Sequence, residues 1–247
     1  MKVLKNIKTT SLAAATATFA LSSPAVAADG YWLDQYNALF YLSTFQLDRE
    51  LAEMRRNGAS VLMVHADSLP NPVLRWIAWR ARQAKLQPVA WIQRPTDSNL
   101  RRVGSVSGYE ALQVDDHFFA NPPISMKRLK NQLADRQLWC SFQPRQFSWQ
   151  AAEACDHIDL QIYRKNCKAT TSDVYKLGVA GAGDVAIAVY DDGSQGSAEQ
   201  LRCLKPGLED AGNRMFVFKW KNPEHWILPI SRKFWSEVAR VRSWLKG

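Results

Sequence analysis

The sequence lacks the glycine-rich motifs that bind nucleotides. Neither Gly-x-Gly-x-x-Gly nor Gly-Lys followed by Ser or Thr occurs after any predicted strand, so dinucleotide and nucleoside triphosphate binding have no support. The four cysteines are separated by 15, 12 and 36 positions, spacings that match no zinc motif. No Pro-, Gly- or Ser-rich run divides the chain. We therefore predict one domain that needs no cofactor and no metal.

The first 27 residues have the features of a secretory signal peptide. Three lysines precede an apolar, alanine-rich stretch, and Ala25-Val26-Ala27 supplies the small-x-small pattern of a signal-peptidase site. Threonines and serines interrupt the apolar stretch, whereas a membrane anchor needs about twenty continuous apolar residues. We predict a signal peptide over 1–27, a mature domain over 28–247, and a periplasmic or secreted protein that has no stable membrane insertion.

All four cysteines, Cys140, Cys155, Cys167 and Cys203, follow the predicted signal peptide. An even number of cysteines in an oxidising compartment allows two disulfides, with three possible connectivities. Cys140 lies in an apolar strand, where a sheltered free thiol is an alternative. The sequence thus predicts disulfides among these four residues without choosing the pairing.

The chain is basic. Its formal net charge is +9, and the loss of three lysines with the signal peptide leaves +6. A basic exported protein accumulates at anionic surfaces such as a cell wall or an acidic polysaccharide, although the same charge also simply keeps a surface soluble. Export and the scatter of basic residues along the chain disfavour nucleic acid as a partner.

Short apolar runs with strand character alternate with helical segments, which is the pattern of parallel β/α units. The predicted strands span 38–42, 60–65, 88–93, 111–115, 138–142, 158–163, 185–190 and 215–220. The predicted helical segments include 48–57, 71–85, 126–136, 197–211 and 233–245. Because eight such units fit the 220 residues after the signal peptide, we predict an α/β fold, a single-domain (β/α)8 TIM barrel. An open doubly wound sheet is the alternative.

The polar residues of the predicted strands collect near their C-terminal ends, where a barrel of this kind forms its active site. Successive side chains of a strand point to opposite faces. The residues that this alternation directs toward the barrel axis or mouth are Gln113 and Asp115 on the fourth strand, Asp159, Gln161 and Tyr163 on the sixth, Trp91 with Gln93 on the third, and His65 with Asp67 on the second. Buried polar groups are costly unless paired, so a hydrogen-bonding mouth is predicted.

Two adjacent carboxylates end the fourth predicted strand, in Ala111-Leu112-Gln113-Val114-Asp115-Asp116-His117-Phe118-Phe119. This segment resembles the strand-four signature, Gly-hydrophobic-x-hydrophobic-Asp-Asp-aromatic, of the bacterial glycosyl-hydrolase-like family ten barrels and related exopolysaccharide hydrolases. The segment Cys155-Asp156-His157-Ile158-Asp159-Leu160-Gln161-Ile162-Tyr163-Arg164 is similar to the family's strand-six pattern. The resemblance runs from Tyr31 to Trp226 in strand order. Ala111 departs from the family's glycine, Gln113 stands where a histidine is common, and the short chain leaves no room for the long loops of larger relatives.

The resemblance implies a glycosidase, whose chemistry needs an acid for the leaving oxygen and a group that stabilises the oxocarbenium-like centre. Adjacent carboxylates raise each other's proton affinity. We assign Asp116 as the general acid and Asp115 as the stabilising or orienting carboxylate. No glutamate stands at a predicted strand end, which substrate assistance by a 2-acetamido group would explain, with Gln161 or Tyr163 positioning that group. A loop cap or a structural cation site is the alternative for the pair.

Further polar and aromatic residues near the predicted strand ends are candidates for substrate binding. Aromatic rings pack against the C–H face of a pyranose, and basic groups bind carboxylated or phosphorylated glycans. The candidates are His65, Asp67, Trp91, Gln93, His117, Gln143, Gln161, Tyr163, Arg164, Tyr190, Asp192, Lys219 and Trp220, with Arg94 and Trp226 beside this set. Each also has a plainer interpretation as core packing, surface charge or, for Asp191-Asp192, a turn.

These features together predict an exported, metal-independent glycoside hydrolase that acts on a bacterial cell-wall glycan or an amino-sugar exopolysaccharide. One alternative is a non-catalytic carbohydrate-binding barrel, which the lack of a strand-end glutamate favours and the aspartate pair opposes. The other is a metal-dependent phosphodiesterase or deacetylase that uses Asp115, Asp116 and a histidine. A polysaccharide or oligosaccharide is the predicted partner.

Overall fold

The computed structural model describes residues 27–133, 135–163, 166–190 and 195–218. Eight parallel strands close into a barrel in the order of the sequence, which confirms the predicted (β/α)8 fold. The strands are β1 Gly30–Leu33, β2 Val61–His65, β3 Gln87–Ile92, β4 Ala111–Val114, β5 Gln137–Phe142, β6 His157–Gln161, β7 Val185–Tyr190 and β8 Arg214–Phe218. The predicted signal-peptide core and the predicted helix 233–245 lie outside the described residues.

Helices connect the strands around the outside of the barrel, and most begin at a capping side chain. They are α1 Gln35–Ser43, α2 Leu47–Arg56, α3 Asn71–Gln83, α4 Asp97–Gly104, α5 Asp116–Ala120, α6 Met126–Gln132, α7 Trp149–Ala152, α8 Cys167–Lys176 and α9 Gln195–Asp210. The side chains that accept a backbone N–H of the first turn are those of Asp34, Thr96, Asp115, Ser125, Ser148 and Asn166. Such caps satisfy amides that have no partner within the helix.

Two apolar cores follow from the alternation of side chains along the strands. The larger core lies between barrel and helices and includes Leu112 and Leu160. The smaller one fills the barrel interior and includes Trp32, Trp139 and Phe216. The barrel is therefore a packed core with no open pore, and its polar side chains collect toward the C-terminal ends of the strands.

The first strand does not lie where the sequence analysis placed it. Residues 38–42 belong to helix α1, and β1 is Gly30–Leu33, which pairs with β2 and β8. A short apolar run fits a strand or a buried helix face equally well, so periodicity alone does not separate them. The Asp34 side chain, which accepts the Asn37 N–H at 2.8 Å, starts the helix. The other seven predicted strands match the structure within one or two residues at their described ends, and residues 219–220 of the predicted eighth strand lie outside the described residues.

The four cysteines form two disulfides, as their even number predicted. Cys140 of β5 pairs with Cys155, and Cys167 of α8 pairs with Cys203 of α9. Cys140 is therefore not a free thiol. Two disulfides are consistent with an oxidising, extracytoplasmic location. Within the described ranges no helix is long and apolar enough to cross a membrane.

Gly30 stands where β1 passes closest to β8. It pairs in register with Phe216, and a Cβ on Gly30 would lie 2.9 Å from that aromatic ring. We expect Gly30→Ala to lower the free energy of unfolding by about 1–3 kcal/mol, because the ring has little room to move inside the packed barrel. Chemical denaturation monitored by tryptophan fluorescence measures this loss.

Gly104→Ala is the matched control, because a Cβ at the end of α4 meets nothing within 4 Å. That variant should be as stable as the wild type or up to about 1 kcal/mol more stable. Equal unfolding free energies for the two variants would contradict the close approach of β1 and β8.

Candidate active site

The two adjacent aspartates lie at the C-terminal end of β4, where the strand gives way to the short helix α5. Asp115 is the N-cap of α5, and its Oδ1 accepts the Asp116 N–H at 2.9 Å. The side chains of Asp115 and Asp116 are 5% and 9% exposed. Because the cap fixes the backbone at this point, both carboxyl groups are held in the mouth of the barrel next to each other.

Glutamine side chains from the next two strands hold the pair. Gln161 of β6 donates through Nε2 to Asp115 Oδ1 at 2.7 Å and to Ser141 Oγ at 2.7 Å. Gln143, just after β5, donates through Nε2 to Asp116 Oδ2. Gln146 donates to the Asp116 carbonyl oxygen at 3.2 Å, and its own Oε1 accepts the Gln143 N–H at 3.0 Å. Each aspartate is thus anchored through one carboxylate oxygen.

The second oxygen of each aspartate faces His117. The distances from His117 Nδ1 are 3.5 Å to Asp115 Oδ2 and 3.2 Å to Asp116 Oδ1, and the imidazole is exposed. Asp115, Asp116 and His117 each offer one ligand atom, and these atoms lie within 4.8 Å of one another. Oxygen and imidazole ligands suit several divalent cations. The three groups that the metal-dependent alternative requires are therefore brought together.

Burial changes the acidity of Asp115. Burial first, and then the neighbouring charge of Asp116, raise the pKa of this carboxyl group to about 7, although the hydrogen bond from the Asp116 N–H and the nearby His117 act in the opposite direction. Two carboxylates at this separation in a poorly solvated mouth do not both ionise easily. Asp115 is therefore protonated in a large share of molecules at neutral pH.

Polar contacts continue from Asp115 into the barrel. The Ser141 hydroxyl accepts from Gln161 and lies beside Asp159, where it lowers the pKa of that carboxyl group against the larger effect of burial. Asp159 Oδ1 accepts from Gln113, whose Oε1 accepts the Trp32 Nε1–H at 3.0 Å. Complete burial raises the pKa of Asp159 well above its usual value, and its Oδ2 has no partner among the described residues. The side chains under the mouth are consequently fixed by contacts from four strands.

Aromatic rings at or just after the C-terminal ends of β3, β6, β7 and β8 form another wall of the mouth. Phe218 at the end of β8 lies 5.6 Å from Trp91, 6.2 Å from Tyr163 and 6.0 Å from Tyr190, measured between ring centroids. Trp32 contacts the same ring at 5.9 Å. Tyr163 and Tyr190 are exposed, whereas Trp91 is buried. The two tyrosines therefore present the accessible aromatic surface of this wall.

Asp67, a predicted substrate ligand, is engaged by the protein itself. Its Oδ2 accepts the backbone N–H groups of Gln93 at 3.1 Å and Arg94 at 2.8 Å, which ties the loop after β2 to the loop after β3. His65 Nε2 is 3.4 Å from the same oxygen, and the His65 ring packs on Trp91 at 4.6 Å. Through these contacts Asp67 and His65 hold the loops after β2 and β3 in position at the rim of the barrel.

The structure brings most of the predicted site residues to one end of the barrel, and their roles there stay predictions. Several candidates lie outside the described residues, namely Arg164, Asp191, Asp192, Lys219, Trp220 and Trp226. The sequence analysis missed Trp32, Ser141, Gln146 and Phe218. Alternation along β5 could have indicated Ser141, which points to the same face as Trp139. Gln146 lies in a loop and carries no periodic signal.

The chain shares its fold with solved enzymes at low sequence identity. A Rhizomucor miehei β-1,3-glucanosyltransferase, solved as an active-site mutant with laminaritriose, is 11% identical over 77% of this chain and 86% of its own, with a TM-score of 0.54. A truncated 3-deoxy-D-arabino-heptulosonate 7-phosphate synthase from Thermotoga maritima is 14% identical over 89% of both chains, with a TM-score of 0.49. No family model and no curated protein matches the sequence. The likeness to the glucanosyltransferase shows the TIM-barrel fold alone, and this fold carries many unrelated chemistries.

The raised pKa of Asp115 predicts how stability depends on pH. Since an unfolded aspartate titrates near pH ~3.9 and the folded one near 7, the folded protein binds more protons between these values. The free energy of unfolding therefore falls as the pH rises through this window. Asp115→Asn removes the contribution, so we expect the variant to gain up to about 4 kcal/mol relative to the wild type between pH ~4 and pH ~8.

Urea denaturation at a series of pH values tests this expectation. Asp210→Asn, at the exposed end of α9, is the control, and its stability curve should parallel that of the wild type. Parallel curves for Asp115→Asn and the wild type would mean that Asp115 ionises as an ordinary aspartate.

Proposed function

We propose that this protein is an exported glycoside hydrolase that acts on an amino-sugar polysaccharide, such as a bacterial cell-wall glycan or exopolysaccharide. The observation that carries the proposal is the buried pair at the barrel mouth, in which Asp115 has a pKa of about 7 beside the anchored Asp116. A carboxylic acid that keeps its proton near neutral pH is what protonation of a glycosidic oxygen requires. The exposed Tyr163 and Tyr190 support the proposal, because aromatic rings stack on pyranoses.

The electrostatics favour a division of roles opposite to the one that the sequence suggested. Asp115 is the more buried of the two carboxyl groups, 5% exposed against 9%, and burial raises its pKa to about 7, so it is our candidate for the general acid. Asp116, which accepts from Gln143 through one oxygen, is our candidate for the orienting carboxylate. The sequence suggested the opposite roles because adjacency in the chain does not show which carboxyl group is more deeply buried.

The separation of the two groups restricts the mechanism. Their facing oxygens lie within 4.8 Å of each other, which is near the roughly 5–5.5 Å of a retaining pair and below the roughly 6.5–9.5 Å that an inverting pair needs to hold a water molecule. A 2-acetamido group of the sugar can instead supply the nucleophile. Its oxygen attacks the anomeric carbon while Asp115 gives its proton to the leaving oxygen and Asp116 stabilises the amide N–H. Water then opens the cyclic intermediate and returns a proton to Asp115.

A metal-dependent hydrolase is the second candidate, and the cluster of Asp115, Asp116 and His117 favours it. In that case the two carboxylates and the imidazole would hold a divalent cation, which would supply activation of water for deacetylation or phosphodiester cleavage. The two candidates differ in the role of His117, which the glycosidase does not require as a ligand.

The test of the proposed function is the release of new reducing ends from peptidoglycan glycan strands and from poly-N-acetylglucosamine. We expect the wild type to release them in the presence of EDTA, and Asp115→Asn and Asp116→Asn each to lose at least about a hundredfold in rate, as for removal of a general acid. Asp210→Asn, an exposed acid far from the mouth in sequence, should keep the wild-type rate.

Other outcomes separate the alternatives. Release of acetate or phosphate that EDTA abolishes, with loss in His117→Ala, would replace the glycosidase by the metal-dependent hydrolase. Retention of the glycan by the wild type and by both aspartate variants, with no product from any of them, would make this a sugar-binding barrel.

A further inference from the structure

Helix α3 exposes two tryptophans on the flank of the barrel. Trp76 and Trp79 are 42% and 50% exposed, and residues three apart lie on the same face of a helix. The aliphatic side chains of α3, such as Leu74 and Ile77, are buried against the barrel. The exposed indoles are thus not part of the core, and we call Trp76 and Trp79 with Arg75 and Arg80 the α3 platform.

Arg80 holds both indoles in place. Its guanidinium carbon lies 5.8 Å from the ring centroid of Trp76 and 5.0 Å from that of Trp79. The same guanidinium forms an ion pair with Asp48 of α2. A cation shared by two rings and anchored to a neighbouring helix restricts the rotamers of both indoles. Two large apolar surfaces are therefore kept exposed in a fixed arrangement, which reduces the entropy lost when a ligand binds.

The positive charge of α3 indicates that its partner is negatively charged. The helix contains Arg75, Arg80 and Arg82 and no acidic residue. Arg80 and Arg82 face Asp48 and Glu110, whereas Arg75 is exposed and forms no ion pair within the described part of the chain. Arg75 therefore has its guanidinium available for a carboxylate or phosphate next to the indoles.

The chemistry of the platform favours a sugar chain over a lipid surface or a second protein copy. Insertion into a bilayer uses an apolar helix face, but the exposed face of α3 presents arginine and glutamine beside the indoles. A stable protein interface buries about 800 Å² per partner, whereas two half-exposed indoles offer roughly 200 Å². Two adjacent indoles match a short stretch of pyranose rings, whose C–H faces stack on aromatic rings.

We propose that the α3 platform binds a strand of acidic polysaccharide, with pyranose rings on Trp76 and Trp79 and a carboxylate or phosphate on Arg75. That the ligand is a polysaccharide rests on the proposed function, its acidic character rests on Arg75, and the platform itself does not include the mouth. Trp76 lies five residues after the start of α3, which is about 8 Å along the helix axis, and α3 follows the mouth loop of β2. A long strand held on this flank keeps further sugar units close to the mouth.

Affinity electrophoresis in native gels that contain polygalacturonate measures the proposed binding without any assay of hydrolysis. We expect the double variant Trp76→Ala/Trp79→Ala to bind about tenfold or more weakly than the wild type, since two stacking contacts are lost. Trp149→Ala removes an equally exposed indole, at 50%, from α7 and should bind like the wild type. None of these substitutions changes the net charge, so the difference reports stacking and not general attraction of a basic protein.

The charged contact and the mouth are tested separately. Arg75→Gln should weaken binding to polygalacturonate at low salt, and the loss should shrink as salt screens the contact. The double variant Asp115→Asn/Asp116→Asn removes up to two negative charges and should bind polygalacturonate no more weakly than the wild type. If the wild type binds polygalacturonate through the α3 platform but releases no reducing ends from peptidoglycan glycan strands or poly-N-acetylglucosamine, the platform is supported and the proposed hydrolase is refuted.

Several results would overturn the proposal that the α3 platform binds an acidic polysaccharide. One is equal loss of polygalacturonate binding in Trp149→Ala and in Trp76→Ala/Trp79→Ala. A second is binding of phosphatidylglycerol vesicles that only Trp76→Ala/Trp79→Ala abolishes, which would assign the indoles to a membrane surface. A third is a dimer in sedimentation equilibrium that the same double variant dissociates, which would assign them to a second copy of the chain.

Discussion

The candidate site depends on one constraint, the need to satisfy polar side chains inside a packed barrel. Unpaired polar groups in a barrel interior cost several kcal/mol each, and here they are joined in one network. Gln161 bridges Asp115 and Ser141, and Asp159 accepts from Gln113 beneath them. Because these residues come from β4, β5 and β6, the packing of these strands in the barrel also determines how the Asp115 carboxyl group is oriented.

The same network concentrates acidic groups where water is scarce. Asp115 and Asp159 both have raised pKa values, for which burial is the largest cause. Their donors are amides and hydroxyls, which do not supply a compensating positive charge, and His117 is the one cationic candidate beside the pair in the described region. The mouth thus holds a protonated carboxyl group, and the free energy of unfolding falls when that group ionises at higher pH. A carboxylic acid with a raised pKa is common in sites that use its proton near neutral pH.

The sequence predicted the network better than it predicted the first strand. A polar residue within an apolar strand of period two is a strong signal, so Gln113, Asp115 and Gln161 were found from alternation alone. The prediction of a strand at residues 38–42 was wrong because a short apolar run is also compatible with a helix. Trp32 was missed because it lies in the true first strand, which was not predicted. Phe218 lies beside Trp32 and belongs to β8, the strand that pairs with β1, and the pairing of the first and last strands depends on closure of the barrel, which no local pattern encodes. The disulfide pairing was open for the same reason.

Adjacency in the chain limits what the aspartate pair can do. The Asp116 N–H is bound to Asp115 Oδ1, so the two carboxyl groups cannot separate to flank a glycosidic bond from opposite sides. A nucleophile has to come from elsewhere, either from the sugar or from water held by a cation at Asp115, Asp116 and His117. Both chemistries use the same two carboxylates, but only the second needs Asp115 without its proton, because a protonated carboxyl group is a poor ligand. A cation at this site and the proton that Asp115 carries would therefore compete for the same carboxyl group.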